Sequence, residues 1–272
     1  MGRRWVIGWM ALAALVSAVW LVGFVAAAME LLGPGRTGSA SPARPGTVTD
    51  EAGPSRGPEA GPLRLVGLGD SILRGIGDGE GGGVFRRFGE RLAAADPGRR
   101  PPVMVNLAVA GDTSADLGRR LALPEFRTAV RAADGIVLSI GGNDAFPSVD
   151  VLKRPAAYAD PEAISAFQAT METVLRALRQ DNPKAPILWL GLYDPFSDVP
   201  GLSGAAEAAL DRWNAAIHAA ARSAPGVIVV PTNDLRQAAG AAFLAGDHFH
   251  PSAVGHALLA GRLAEVWAAL QR

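Results

Sequence analysis

Apolar positions along the chain fall into two spacings. Short runs rich in branched residues stand at 64–68, 103–107, 136–140, 186–192 and 227–230. Runs of that length and composition predict buried strands. Between them the apolar period lengthens to that of a helix. Val84, Phe85, Phe88 and Leu92 share one face of a helix predicted over 84–95, which Asp96-Pro97-Gly98 stops. Ile164, Phe167, Met171, Leu175 and Leu178 do the same over 161–181, ended by Asn182-Pro183. This Phe and Met stripe reads as core and not as a cofactor site. A helix carrying Leu117 and Leu121, one over 205–224 and a last one carrying Val254, Leu258, Leu263, Val266 and Trp267 complete the series. Strands alternating with helices predict an α/β domain with a mostly parallel, five-stranded sheet covered on both faces.

The pattern before residue 63 is different. Residues 5–29 form an uncharged run, preceded by Arg3 and Arg4 and followed by Glu30, with the next cation at Arg36. As a helix it would be about 37 Å long, enough to cross roughly 30 Å of hydrocarbon with some tilt. The positive-inside rule puts its amino terminus in the cytoplasm and the rest of the chain outside. The rival is a cleaved signal peptide with Ala26-Ala27-Ala28 as the small-residue site, giving a secreted protein. Its apolar core would exceed the usual length of about 7–15 residues, which favours an uncleaved anchor. Gly, Pro, Ser, Thr and Ala dominate 33–62 without apolar period, as in a disordered tether. The expected organisation is an anchor over 1–32, a linker over 33–62 and a folded domain over 63–272.

Composition removes some chemistry. Acidic and basic side chains number 26 each, so no global field draws nucleic acid. No cysteine is present, which excludes disulfides, thiolate catalysis and cysteine-ligated metals.

What remains gathers at the carboxyl ends of the predicted strands. The first ends in Gly69-Asp70-Ser71, where a helix should start, so Ser71 points into the crevice in which α/β proteins bind ligands. Alone, Ser71 reads as an N-cap. The second strand leads to Gly111, a turn glycine whose N–H can face the same crevice. The third ends in Gly141-Gly142-Asn143-Asp144, which brings the backbone close and offers the Asn143 amide as a donor. Before the last helix stands Gly246-Asp247-His248-Phe249-His250-Pro251. Asp247 lies three residues before His250, near enough in a tight turn to accept from Nδ1 and leave Nε2 as a base.

Two other readings need weighing. The glycines of 74–83 suggest a phosphate cradle, but no Gly-Lys-Ser/Thr follows and Asp78 and Glu80 would repel phosphate. A flexible loop at the crevice mouth is expected instead, forming the pocket wall with the 193–204 loop, where Tyr193, Asp194 and Phe196 stand. His248, His250 and His256 near Asp247 could ligate zinc or iron, but no His-Glu-x-x-His pattern is present. A metal would also leave the serine, glycine and asparagine loops unexplained. The expectation is no metal and no cofactor, with His248 and His256 as bystanders, one exposed and one on the helix. Asp70 and Asp144 are expected to shape their loops.

A serine reading uses every loop. Ser71 attacks an acyl carbonyl, His250 relays the proton, and Asp247 orients the imidazole. The N–H groups of Ser71 and Gly111 and the Asn143 amide meet the oxyanion. Gly69-Asp70-Ser71-Ile72, Gly111, Gly141-Gly142-Asn143-Asp144 and Asp247-His248-Phe249-His250-Pro251 resemble, in this order, the blocks of the SGNH/GDSL hydrolases, specifically their membrane-anchored bacterial lipase/acylhydrolase branch. The resemblance covers about 63–271, and Ile72 replaces the leucine usual after the serine. It implies a three-layer α/β/α sandwich like flavodoxin, a metal-free esterase or lipase, and the same roles for these five residues. The expected substrate is a small-molecule or lipid ester. O-acetylated envelope polysaccharide is an alternative, as is a catalytically silent envelope-binding module.

Overall fold

The computed structural model describes residues 61–147, 158–197 and 203–272. The anchor and most of the tether lie outside them. Among the described residues no helix is long and apolar enough to cross a membrane.

Five strands form one sheet: β1 (Arg64–Gly69), β2 (Val103–Asn106), β3 (Gly135–Ser139), β4 (Ile187–Leu190) and β5 (Val227–Val230). Their order is β2-β1-β3-β4-β5, and every pairing is parallel. Because β1 has β2 on one side and β3 on the other, the connections leave it in opposite directions. The resulting crevice at the carboxyl ends of β1 and β3 is the usual ligand position in a doubly wound sheet.

The pleat sends alternate side chains to opposite faces. Val66, Leu68, Ile136, Leu138, Ile187 and Trp189 face one layer, built mainly from α3 (Ser114–Arg120), α6 (Pro161–Asp181) and α7 (Ser203–Arg222). Phe167, Met171 and Leu175 of α6 and Trp213 and Ile217 of α7 fill it, so the expected Phe and Met stripe is core. Leu65, Val137, Leu188 and Val230 face the other layer, where Phe85 and Phe88 of α2 (Gly83–Ala95) meet Leu259, Leu263 and Trp267 of α9 (Ala253–Leu270). Full burial of such side chains contributes about 1.5–3 kcal/mol each before entropy is counted. The result is the three-layer α/β/α arrangement. Shorter helices complete the described elements: α1 (Ser71–Arg74), α4 (Pro124–Arg131), α5 (Gly142–Ala145) and α8 (Asn233–Ala239), with a 3-10 turn at Gly240–Phe243.

Two expectations shift. The 186–192 strand is shorter: Gly191 N–H still donates to Val230 O, but the next residue turns to a side chain, Leu192 N–H donating to Asn214 Oδ1 at 2.9 Å. The 74–83 segment is not a loose loop. Asp78, 7% exposed, accepts from the N–H groups of Glu80 and Gly83 and from the Arg87 guanidinium. These charge-assisted bonds hold the Asp78 carboxyl far below its ordinary range. The glycine-rich stretch is folded around its own acid.

Candidate active site

β1 ends at Gly69, whose φ of 133° belongs to glycine; a Cβ there would stand 1.8 Å from the Ser139 carbonyl of β3. That close approach turns the chain into α1. Asp70 caps this helix, its Oδ1 accepting from Ile72 N–H at 3.1 Å and from Ser139 Oγ–H at 2.9 Å. Ser71 is therefore the first helical residue and not the cap. At that position its N–H has no acceptor in the helix and can donate outward. Burial raises the Asp70 carboxyl to about 6, against the lowering effect of its two hydrogen bonds and of nearby His250.

The last motif folds into a closed loop. Leu244 and Pro251 form an antiparallel bridge, Ala245 N–H donates to the His250 carbonyl at 2.8 Å, and His248 takes a left-handed φ of 57°. Asp247 Oδ1 accepts from Phe249 N–H and His250 N–H, each at 3.0 Å. Its Oδ2 lies 2.6 Å from His250 Nδ1. Partial burial pushes the Asp247 carboxyl up, but these three bonds outweigh it and hold the group at about 2. An ionised carboxylate only accepts, so Nδ1 carries the proton, and in the neutral imidazole Nε2 is then the acceptor. Nε2 stands 2.9 Å from Ser71 Oγ. The structure thus joins Ser71, His250 and Asp247 in one hydrogen-bonded chain, 179 and 3 residues apart in sequence.

The other two strand ends are tied to each other. At the end of β2, Asn106 donates to the Leu73 carbonyl and accepts from Ala108 N–H, and Val109 N–H donates to Gly69 O. The turn that follows holds Gly111 at φ 87°. Asn143, in α5, donates one amide N–H to the Asp112 carbonyl at 2.8 Å. This fixes the orientation of the amide and leaves its second N–H for a ligand. Asp144 accepts from Ser114 N–H and Oγ, and Asp112 is gripped by Arg120. Asp70 and Asp144 shape their loops, as expected.

Ser71, Asn143, Phe146, Leu192, Tyr193 and Phe249 line one pocket, with Asp70, Ser139 and Thr232 on its polar side. Phe146 packs edge-on against Phe249 at 5.9 Å and Phe196 at 5.4 Å, and Phe249 meets the His250 ring at 5.2 Å, so an aromatic cluster adjoins His250. From the 193–204 loop Tyr193 and Pro195 line this pocket, while Asp194, Phe196 and residues 74–83 do not. Gly77 instead packs behind His250, where a Cβ would stand 3.0 Å from His250 Cβ.

His256 departs from the expectation of a bystander. It is wholly buried, its Nδ1 accepts from Val84 N–H at 3.0 Å, and its Nε2–H donates to Ile76 O at 2.9 Å. It locks 76–84 to α9, and burial lowers its pKa. His248 is exposed. Among the described residues, no three His, Cys, Asp or Glu side chains converge where a metal ion could sit. Sequence reasoning left Tyr193 unplaced. Its position at the carboxyl end of a strand was the available signal.

A family model for the GDSL-like lipase/acylhydrolase family matches residues 68–258. The protein YpmR of Bacillus subtilis (strain 168) is 24% identical over 164 residues, 58% of this chain and 63% of that protein, so the match spans less than two thirds of that relative. Among solved structures, the lipase Lip_vut3 from a goat rumen metagenome is similar at a TM-score of 0.65 and 22% identity, over 75% of this chain and 96% of that one. Axe2, an acetylxylan esterase from Geobacillus stearothermophilus, is similar at a TM-score of 0.55 and 19% identity, over 75% and 93%.

Proposed function

The chain belongs to the GDSL-like lipase/acylhydrolase family, whose members are carboxylic ester hydrolases, and on that premise we propose that it is a serine ester hydrolase working through Ser71, His250 and Asp247. The observation that carries the reading is the chain of contacts from Asp247 Oδ2 to His250 Nδ1 at 2.6 Å and from Nε2 to Ser71 Oγ at 2.9 Å. An ester carbonyl above Ser71 meets Oγ as its proton passes to Nε2, and Asp247 stabilises the imidazolium formed. The tetrahedral oxyanion is met by Ser71 N–H, Gly111 N–H and the second amide N–H of Asn143. One such donor is worth about 2.7–4 kcal/mol of barrier. The imidazolium then protonates the leaving alcohol, and water activated by His250 releases the acid.

The aromatic and aliphatic pocket suits the apolar part of an acyl ester. A small-molecule or lipid ester is the proposed substrate class, with no cofactor. The apolar run at 5–29 behind Arg3-Arg4 supports a single-pass anchor with the catalytic domain outside the membrane. Protease treatment of intact cells tests this: a protected domain rules it out.

For the chemistry, Ser71→Ala should abolish hydrolysis of p-nitrophenyl acetate while circular dichroism stays unchanged. Wild type should also be labelled by a fluorophosphonate at Ser71. Hydrolysis by the alanine variant at the wild-type rate would refute the assignment. An unlabelled, inactive wild type would instead favour a silent binding module.

A further inference from the structure

We propose that Tyr193 is a positioning residue for the reaction, holding His250 over Ser71 through the peptide that joins Phe249 to His250. This rests on the reading of Ser71 and His250 as nucleophile and base.

The loop carrying His250 is closed by its own bonds. Ala245 N–H to His250 O, His248 N–H to Ala245 O, Ser252 N–H to Phe243 O and the two N–H bonds to Asp247 all lie within 243–252. Such bonds fix the loop's shape but not its place relative to Ser71. Among the described residues, two side-chain hydrogen bonds reach 244–251 from elsewhere in the chain. One is the reacting contact itself, Nε2 to Ser71 Oγ. The other is Tyr193 Oη–H donating to the Phe249 carbonyl at 2.7 Å. That carbonyl is one bond from the His250 nitrogen, so the tether acts close to the imidazole.

Tyr193 is itself firmly placed. The residue before it is clamped at both backbone groups by Asn214, with Leu192 N–H to Oδ1 at 2.9 Å and Nδ2 to Leu192 O at 3.0 Å. The residue after it is held by Asn233, whose Oδ1 accepts from Asp194 N–H at 3.0 Å. The ring packs edge-on against Phe243 at 5.0 Å, at the root of the His250 loop. Burial, together with the carboxylates of Asp70 and Asp247, pushes the phenol well above its ordinary pKa, which favours the protonated, donating form. The hydroxyl thus links the segment after β4, at the carboxyl end of the sheet, to the loop, while the ring lines the pocket.

Tyr193→Phe removes the hydroxyl and keeps the ring. With p-nitrophenyl acetate, kcat should fall about 10- to 100-fold, the scale expected for an ångström-level misplacement of a catalytic group, with KM within about twofold. Labelling of Ser71 by a fluorophosphonate should slow by a similar factor. Asn182→Ala controls for stability alone, since Asn182 holds the Val130 and Ala133 carbonyls far from the pocket. It should lower Tm and leave kcat unchanged. A kcat within twofold of wild type in Tyr193→Phe overturns the proposal. So does a rise in KM at constant kcat, which would make the hydroxyl a substrate contact. So does a kcat loss matched by Asn182→Ala at equal loss of Tm. Failure of the underlying nucleophile reading looks different, because wild type itself would then resist the fluorophosphonate.

Discussion

Replacing Asp247 with asparagine tests the electrostatic logic of the site without changing its shape. In the native loop, Oδ1 accepts from two backbone N–H groups while Oδ2 accepts from His250 Nδ1. Asparagine has one acceptor oxygen and one NH2 group. Turning the NH2 toward Phe249 and His250 would set donors against donors at two contacts, so the oxygen stays there and the NH2 faces Nδ1. The imidazole must then accept at Nδ1 and carry its proton on Nε2, pointing a donor at Ser71 Oγ. A base in that tautomer cannot take the serine proton, and no carboxylate remains to stabilise the imidazolium. The comparable change in a Ser-His-Asp site costs about 10⁴ in kcat, or about 5.5 kcal/mol of barrier. Both backbone bonds survive, but the lowered pKa of the Asp247 carboxyl means that its charge stabilises the fold at neutral pH. A modest loss of stability is therefore expected, limited by the side chain's 46% exposure. The assay is kcat for p-nitrophenyl acetate between pH 6 and 9, with Tm measured alongside. A loss under tenfold in the folded variant would refute the tautomer argument and the role given to Asp247.

Three further outcomes follow from buried groups. Asp70→Asn keeps the acceptor for Ile72 N–H and Ser139 Oγ–H but removes the charge; moving the carboxyl from 3.8 to about 6 implies a destabilisation of about 3 kcal/mol when it is ionised. The folded state holds this proton more tightly than the unfolded one, so wild-type stability falls as pH rises from about 4 to 6. Urea unfolding should therefore show the asparagine variant more stable at pH 8 and nearly equal at pH 4. His256 has the opposite sign: its folded pKa is lowered, the unfolded chain takes up the proton first, and stability drops as pH falls below 6.5. His256→Ala should flatten that slope and cost about 1–3 kcal/mol at pH 7.5, because Val84 N–H loses its buried acceptor. Gly69→Ala forces a Cβ to within 1.8 Å of Ser139 O at φ 133°, so loss of soluble folded protein or at least about 3 kcal/mol of stability is expected by thermal melting.

The layers were readable because each rests on a local period. Phe167, Met171, Leu175 and Leu178 face the sheet as their spacing required, and α6 occupies the predicted span. The strand ends were readable because glycine, serine, asparagine and histidine interrupt those periods. What escaped the sequence was partner choice over long separations. Asp78 looked like an acid that would repel a ligand, yet its charge is spent on Arg87 and two backbone N–H groups. His256 looked incidental on its helix, yet it meets Val84, 172 residues earlier. Tyr193 reaches Phe249, 56 residues later, through a single oxygen. No periodicity encodes such contacts. They depend on how two loops rest on a finished sheet.

The start of α1 shows how little separates a structural detail from a chemical one. With Ser71 as the N-cap, its hydroxyl would be occupied by a backbone N–H two or three residues on. Asp70 takes that place, accepting from Ile72 N–H and drawing the Ser139 hydroxyl to the same oxygen. The shift by one residue leaves Ser71 Oγ available to His250 and puts Ser71 N–H among the unsatisfied donors of the first turn. Nucleophile and oxyanion donor then come from one residue, whose backbone is set by the Gly69 turn and the Asp70 cap. Burying Asp70 raises its pKa toward the assay range, a cost of about 3 kcal/mol that a neutral cap would avoid. On the proposed mechanism, that ionised cap places a second negative charge near His250, in addition to that of Asp247. If that charge helps hold the imidazolium, Asp70→Asn should gain stability at pH 8 yet lose kcat. A variant both more stable and equally active would show that the charge does no catalytic service.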